Sequence, residues 1–431
     1  MARAIDMPKF GPLAGVRIVN ATQSTAGGFA NSILAEMGAD VIWLESPQST
    51  DPTRGGPGEP AQCERRNMRN ICFDITAPEG KQLLLDLLKT ADIFMEASKG
   101  DHYAAKWGLT DEALWEVNPD LIIVHMTGFG VEGNPAYIRR PSFDGIAQAY
   151  TGYINMQGVD GELPPPAAPQ LADYYYGLFA ANSALAALYR RRVTGEHESI
   201  DCAQVDCVMR ISGYRAYEQM NYGSTYIKEG SRAKGGVGWG VYKCMDGKYV
   251  YMLHLGPGAM KAGLEIAGMG EKYGTPEFPV TRGNAFTAEP QGAELERRIE
   301  EICATHTAKE VEELYWPKGV PCCRVMDYED LENHPHVQAR GSIIEWECED
   351  GRSRRGAAPV PRFTKNPTYI WRGCPGVGQD NEDILGEIGY SEDKIKELYD
   401  SKIVTKLPIR PAMDKAELLR QGYTESMFKK R

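Results

Sequence analysis

Between Val16 and His125, short apolar runs of strand length alternate with helical patterns, and this alternation restricts the fold more than any other feature of the chain. Val16 to Asn20 reads as a strand, Gly27 and Gly28 open a helical pattern carrying Phe29, Ile33, Leu34 and Met37, and Asp40 to Glu45 reads as the next strand. Ile71 to Ile75 is strand-like, Pro78 to Lys89 is a leucine-rich helix opened by proline, and Asp92 to Glu96 is a strand. Thr110 caps a helix running through Trp115, and Leu121 to His125 is a strand. Strands separated by helices pair in parallel through crossovers. The expected fold is therefore α/β, a doubly wound, mostly parallel, Rossmann-like sheet.

Further along, the segment LPPPAAPQ (163–170) is stiff and non-helical, and after it Leu178, Ala181, Leu185 and Leu188 predict one face of a long helix. Arg190, Arg191 and Arg192 close that helix, where cations complement the macrodipole. Beyond residue 225 the pattern changes. Glycines 235, 236, 238 and 240 precede two strand-like runs, Val241 to Lys243 and Lys248 to Leu253, that read as a hairpin around Asp246-Gly247. The expected organisation is a large α/β domain over 1–215, a smaller α+β domain over 225–330, and a segment over 345–431 that returns to the large domain and carries a helix from Glu392 to Tyr399.

The chain has 431 residues, more than one hydrophobic core usually serves, and its 42% apolar and 25% charged residues are those of an ordinary globular protein. No stretch approaches the roughly 20 apolar residues that span a bilayer, and the opening MARAIDMPKFGPLAG lacks the apolar run of a signal peptide, so a cytoplasmic location is expected. The ten cysteines show no CxxC pair and no zinc-like spacing, so they read as reduced thiols and no metal site is expected. A formal net charge of −11 argues against nucleic-acid and anionic-membrane partners, which select a positive surface.

Two positions carry candidate chemistry. The turn Ala26-Gly27-Gly28-Phe29 with Glu45 downstream invites a dinucleotide, but it lacks the GxGxxG spacing that lets backbone approach a pyrophosphate. Asp173 lies where the proline segment meets the start of a helix. There, backbone N–H groups and the dipole favour an anion, so the residue is either a helix cap or an ionised, nucleophilic carboxylate. His197, His102 and the His334/His336 pair form no triad or zinc constellation and read as surface or turn residues.

The blocks GPLAGVRIVN, ILAEMGADVIWLESP, NMRNICFDITAPEGKQLLLDLL, ADIFMEASKG, NPDLIIVHMTGFG, FDGIAQAYTGY, LADYYYGLFAANSALAALYRRRVTGEHESID and NEDILGEIGYSEDKIKEL resemble, in order, those of the class III CoA-transferase (CaiB/BaiF) family, with features of its carnitine and bile-acid branches. The resemblance implies an acyl-CoA:carboxylate CoA-transferase. In this family the aspartate matching Asp173 attacks an acyl-CoA thioester, giving first an acyl-aspartyl anhydride and then an aspartyl-CoA thioester. It further implies an acyl-CoA donor and a free carboxylic acid acceptor as partners, with coenzyme A as substrate and no permanently bound cofactor. The implied assembly is an interlocked homodimer.

By position, Lys99 matches a phosphate contact of CoA, and Lys106 falls where many relatives carry arginine. Phe73 and Ile75 match the block beside the adenine, Thr25 a position near the thioester, and the glycine run Gly235 to Gly240 the amides that would hold an oxyanion. The plainer alternative for the lysines is a solvated face, and for Phe73 and Ile75 ordinary core packing. The chain departs from the family pattern at Gly28, where proline is usual, and at His197, where glycine is usual. An α-methylacyl-CoA racemase is the nearest alternative, but Phe143 stands where racemases carry a histidine base. A non-catalytic CoA-binding homologue is the other.

Overall fold

The computed structural model describes residues 6–55, 59–224, 228–233, 235–408, 415–420 and 422. The chain divides into two compact units, one of residues 1–153, 166–218 and 340–431, the other of 154–165 and 219–339.

The first unit is built on six strands: β1 (Arg17–Ala21), β2 (Asp40–Glu45), β3 (Arg69–Cys72), β4 (Ile93–Glu96), β5 (Ile122–Thr127) and β6 (Ser199–Ala203). They form one sheet in the order β3-β2-β1-β4-β5-β6, with every neighbouring pair parallel. All residues of β3 and β4 are buried, as helices on both faces require. The chain reverses direction of winding between β1 and β4, so a crevice opens beyond their carboxyl ends, at Ala21 and Glu96. β3 starts and stops earlier than the sequence suggests, because Asp74 Oδ1 accepts from Thr76 N at 2.8 Å and turns the chain.

The helices that shape the crevice are α1 (Ser24–Glu36), α2 (Pro78–Leu88), α3 (His102–Trp107), α4 (Asp144–Tyr150), α5 (Leu171–Thr194) and α6 (Gln204–Ile211). α2 buries Leu83, Leu84, Leu87 and Leu88 completely, each stabilising by about 1.5–3 kcal/mol. α1 begins before the glycine pair, and Gly27 is needed within its first turn because a Cβ would lie 2.1 Å from Thr22 Oγ1.

α5 corrects the expected leucine face. Leu178 is exposed, and the buried stripe is Tyr176, Gly177, Ala180, Ala181, Ala184, Ala187 and Leu188. Small residues are required there: a Cβ on Gly177 would come 2.8 Å from Ala26 O and 3.2 Å from Ala30 N, so the backbones of α1 and α5 nearly touch. A β-hairpin over Ile343–Glu347 and Ser353–Ala357, which no periodicity announced, belongs to the same unit.

The second unit has its own antiparallel sheet of β7 (Trp239–Lys243), β8 (Tyr249–Leu253) and β9 (Cys322–Arg324), with the hairpin closing at Asp246-Gly247, where Gly247 has φ +78°. Tyr242, Met252, Leu264, Leu295, Ile299, Val311 and Tyr315 form its core. No described helix is long and apolar enough to cross a membrane, and no described group of His, Cys, Asp and Glu has the geometry to hold a metal ion.

Candidate active site

A cavity of about 460 Å³ opens at the point where the winding of the sheet reverses. Ala21 at the end of β1, Ser24 and Gly27 of α1, Ser98 and Lys99 after β4, and Asp173 of α5 are among its walls. Two residues in left-handed backbone conformation bring helix starts to this place: Ser24 (φ 62°) at α1 and Gln170 (φ 46°) just before α5. Ser24 is held in that conformation by buried charges, its N–H donating to Asp51 Oδ2 at 3.0 Å and its carbonyl accepting from Arg65 at 3.0 Å.

Asp173 is the third residue of α5, and it caps nothing. The cap comes from α4: Asp144 Oδ1 accepts from the N–H groups of Ala172 at 2.8 Å and Asp173 at 3.3 Å. Gln148 in turn donates to Asp144 Oδ2 at 2.7 Å and grips both the N–H and the carbonyl of Ala167, which pins the proline segment to α4.

The Asp173 carboxylate is therefore free for chemistry, although it is only 5% exposed. Burial, then the charge of Asp144, pushes its pKa up to about 6, with a hydrogen bond from Gln204 opposing them. The helix start alone predicts a fully ionised group, and burial outweighs it. At pH 7 the carboxylate still outnumbers the acid by about ten to one.

Gln204, unnoticed in the sequence, is the first residue of α6 and 3% exposed. Its Nε2 donates to Asp173 Oδ1 at 2.6 Å, while its Oε1 accepts from Ser142 Oγ at 2.7 Å. Nothing in the sequence marks it beyond a polar residue between Ala203 and Val205, and its burial at the end of β6 is decided by the fold.

Of the residues singled out in the sequence, Asp173 and Lys99 share the cavity. Thr25 lies behind it, 4% exposed, with Oγ1 donating to Gln170 Oε1 at 3.2 Å. Lys106 is exposed on α3, its Nζ 5.0 Å from the centre of the Trp107 ring, and is not part of the wall. Phe73 is buried in the core beside α2, and Ile75 packs half-buried against the same core, so neither lines the cavity. His102, read as a surface residue, is half-buried and lines the cavity, which the exposed Arg140 lines as well. His197 packs against Trp115, with ring centres 4.4 Å apart.

The glycine run lies in the second unit, where Gly238 leaves room for the His254 ring, 2.6 Å from where a Cβ would stand. Three of its amides are engaged: Gly236 N donates to Ala233 O, Val237 N to Ala285 O, and Gly238 N to Glu296 Oε2. Glu45, the acid a dinucleotide ribose would need, is bound by Arg54 at 2.7 Å and by Asn70 at 2.9 Å.

Fold and site together define a Rossmann-like α/β protein whose ligand cavity presents a buried aspartate near a rim carrying Lys99 and Arg140. Residues 13–381 match CoA-transferase family III, and the chain belongs to that family. It is similar to a CaiB/BaiF family protein from Brucella suis, at 25% identity and a TM-score of 0.75 over 88% of this chain and 100% of that one. It also shares the fold of Rv3272 from Mycobacterium tuberculosis, at 22% identity and a TM-score of 0.73 over 88% and 100% of the two chains. The protein is thus an enzyme of the CoA-transferase type, with CoA thioesters as substrates.

Proposed function

We propose that the protein moves coenzyme A from an acyl-CoA to a free carboxylic acid through covalent attachment to Asp173. The observation that carries this is a buried carboxylate, bonded on Oδ1 alone, in the wall of the switch-point cavity. Asp173 Oδ2 attacks the thioester carbon, the C–S bond breaks, and CoA leaves as thiolate. The thiolate attacks Asp173 Cγ, the Cγ–Oδ2 bond breaks, and the donor acid departs, leaving an aspartyl-CoA thioester. The acceptor carboxylate then displaces the thiolate at Cγ to form a second anhydride. Finally the thiolate takes the acceptor's acyl carbon and Asp173 is regenerated. No step needs a proton, which suits a carboxylate that titrates near 6.

Lys99 at the rim is the phosphate contact in this reading, a point charge for the nucleotide end of CoA. Lys106 is a further one, Thr25 supports the wall near the thioester, and Phe73 and Ile75 pack in the core beside α2. The acid is of carnitine or butyrobetaine type, or a bile acid. The chain acts in the cytoplasm as an interlocked homodimer, a partner that would cover the exposed Tyr214, Tyr217 and Met220 of the Gly213–Tyr222 helix. Racemisation would need a second base, and Phe143 in the cavity wall has none to offer.

Incubation with acyl-CoA alone, followed by peptide mass spectrometry, should find an acyl or CoA adduct on Asp173, and hydroxylamine should intercept it and inactivate the enzyme. An adduct on Cys202 or Cys207 instead would replace this mechanism. Screening carnitine-type and steroid acids as acceptors with one donor then identifies the acid.

A further inference from the structure

On the mechanism above, Cγ of Asp173 is itself attacked twice, once by the CoA thiolate and once by the acceptor carboxylate. At each attack the carbonyl oxygen that stays on Cγ, Oδ1, takes up the negative charge of a tetrahedral intermediate. An oxyanion of this kind needs a donor aimed at it beforehand. In the glycine run, the amides of Gly236, Val237 and Gly238 already have acceptors within their own unit. Gln204 Nε2, in contrast, stands 2.6 Å from Oδ1.

We propose that Gln204 is a catalytic residue of this enzyme: its amide holds Oδ1 so that Oδ2 attacks the thioester, then stabilises Oδ1 as the oxyanion of the aspartyl steps. The inference rests on Asp173 being the nucleophile. Three observations support it. Among the described residues, no other side chain or amide donates to either oxygen of this carboxylate. The amide cannot present its other face, because Oε1 accepts the Ser142 hydroxyl at 2.7 Å and a flip would set two acceptors against each other. Gln204 also begins α6 directly after β6 and is 3% exposed, so its geometry is set before substrate arrives. The remaining charged groups around Asp173 act differently: Asp144 from α4 repels its charge, and Lys99, His102 and Arg140 belong to the cavity wall.

The test is Gln204→Met, which keeps the length and removes the donor. With thermal melting unchanged, kcat should fall by about 100- to 1,000-fold, as for loss of one oxyanion donor, while KM for acyl-CoA stays within about threefold. With acyl-CoA alone, the Asp173 peptide should shift from CoA adduct towards acyl adduct, because the second step is slowed more than the first. Losing a donor to the ionised form should also raise the pH of the acid limb of kcat/KM. A Gln204→Met enzyme with kcat within about threefold of wild type and an unmoved acid limb overturns the proposal. If that variant does not fold, Ser142→Ala decides: release of the amide should lower kcat by about tenfold at unchanged KM, and no change overturns the role. A wild-type enzyme without an adduct on Asp173 sinks the nucleophile and this inference together. An adduct on Asp173 beside an active Gln204→Met enzyme sinks the inference alone.

Discussion

The two ends of the central sheet treat carboxylates in opposite ways. At the amino ends of β1, β2 and β3, Asp40 is met by Arg17 at 2.8 Å and Arg69 at 2.7 Å, and Glu387 by the same arginines at 2.9 and 2.6 Å. Four charges cancel in pairs, tying three strands to the returning C-terminal segment. At the carboxyl ends, Asp173 and Asp144 lie close enough to repel, and among the described residues neither forms a salt bridge. One end uses its charges for cohesion. The other keeps a charge unneutralised inside the protein, which costs stability and leaves one carboxylate oxygen, Oδ2, without a hydrogen-bond partner among the described residues.

The strongest way to break this contrast is to remove the uncompensated charge. Asp173→Ala should abolish CoA transfer, by about a thousandfold or more, while circular dichroism and melting stay those of a folded protein. Residual transfer within about tenfold of wild type would mean that the carboxylate is not the nucleophile.

Arg69→Ala attacks the other end. Its guanidinium is buried and its two carboxylate partners are partly solvated, so their exposure discounts the usual cost of breaking a buried pair to about 2–3 kcal/mol. Denaturant unfolding should register that loss, with activity per folded molecule unchanged. An equal loss of activity would show that the two ends are coupled.

The smallest effect sharpens the comparison. The pKa of Asp173 is raised from 3.8 to about 6 in the fold, so its contribution to stability is fully present below pH 3.8 and is lost as pH rises through about 6. Asp173→Asn, which keeps the acceptor for Gln204, should therefore stabilise the protein at pH 8 by on the order of 1–3 kcal/mol. The gain should vanish near pH 4. The same titration places the acid limb of wild-type activity near pH 6. A variant no more stable at pH 8 than wild type would show that Asp173 is better solvated than its burial implies.

Much of the fold was legible because local signals agreed. Pro78 opened α2, Thr110 capped the helix Asp111–Val117 by accepting from Ala113 N at 3.2 Å, and β2 ran over the expected residues. Where one face of an element packs against another backbone, periodicity misled. The leucine stripe of α5 pointed partly to solvent because α1 comes so close at Gly177 that no larger side chain fits there. At the site, Asp173 and Lys99 could be found from family-like blocks. Gln204 and Ser142 are remote in sequence from Asp173, and no pattern links them.

The sequence by itself determined the alternating architecture and the family, and singled out the carboxylate proposed to react, because each is written in contiguous blocks whose residue types suffice. Tertiary structure alone decided how that carboxylate behaves. Its burial, the repulsion from Asp144 on another helix and the hydrogen bond from Gln204 on a third all come from groups brought together by folding, and proton affinity depends on distance through space, not along the chain.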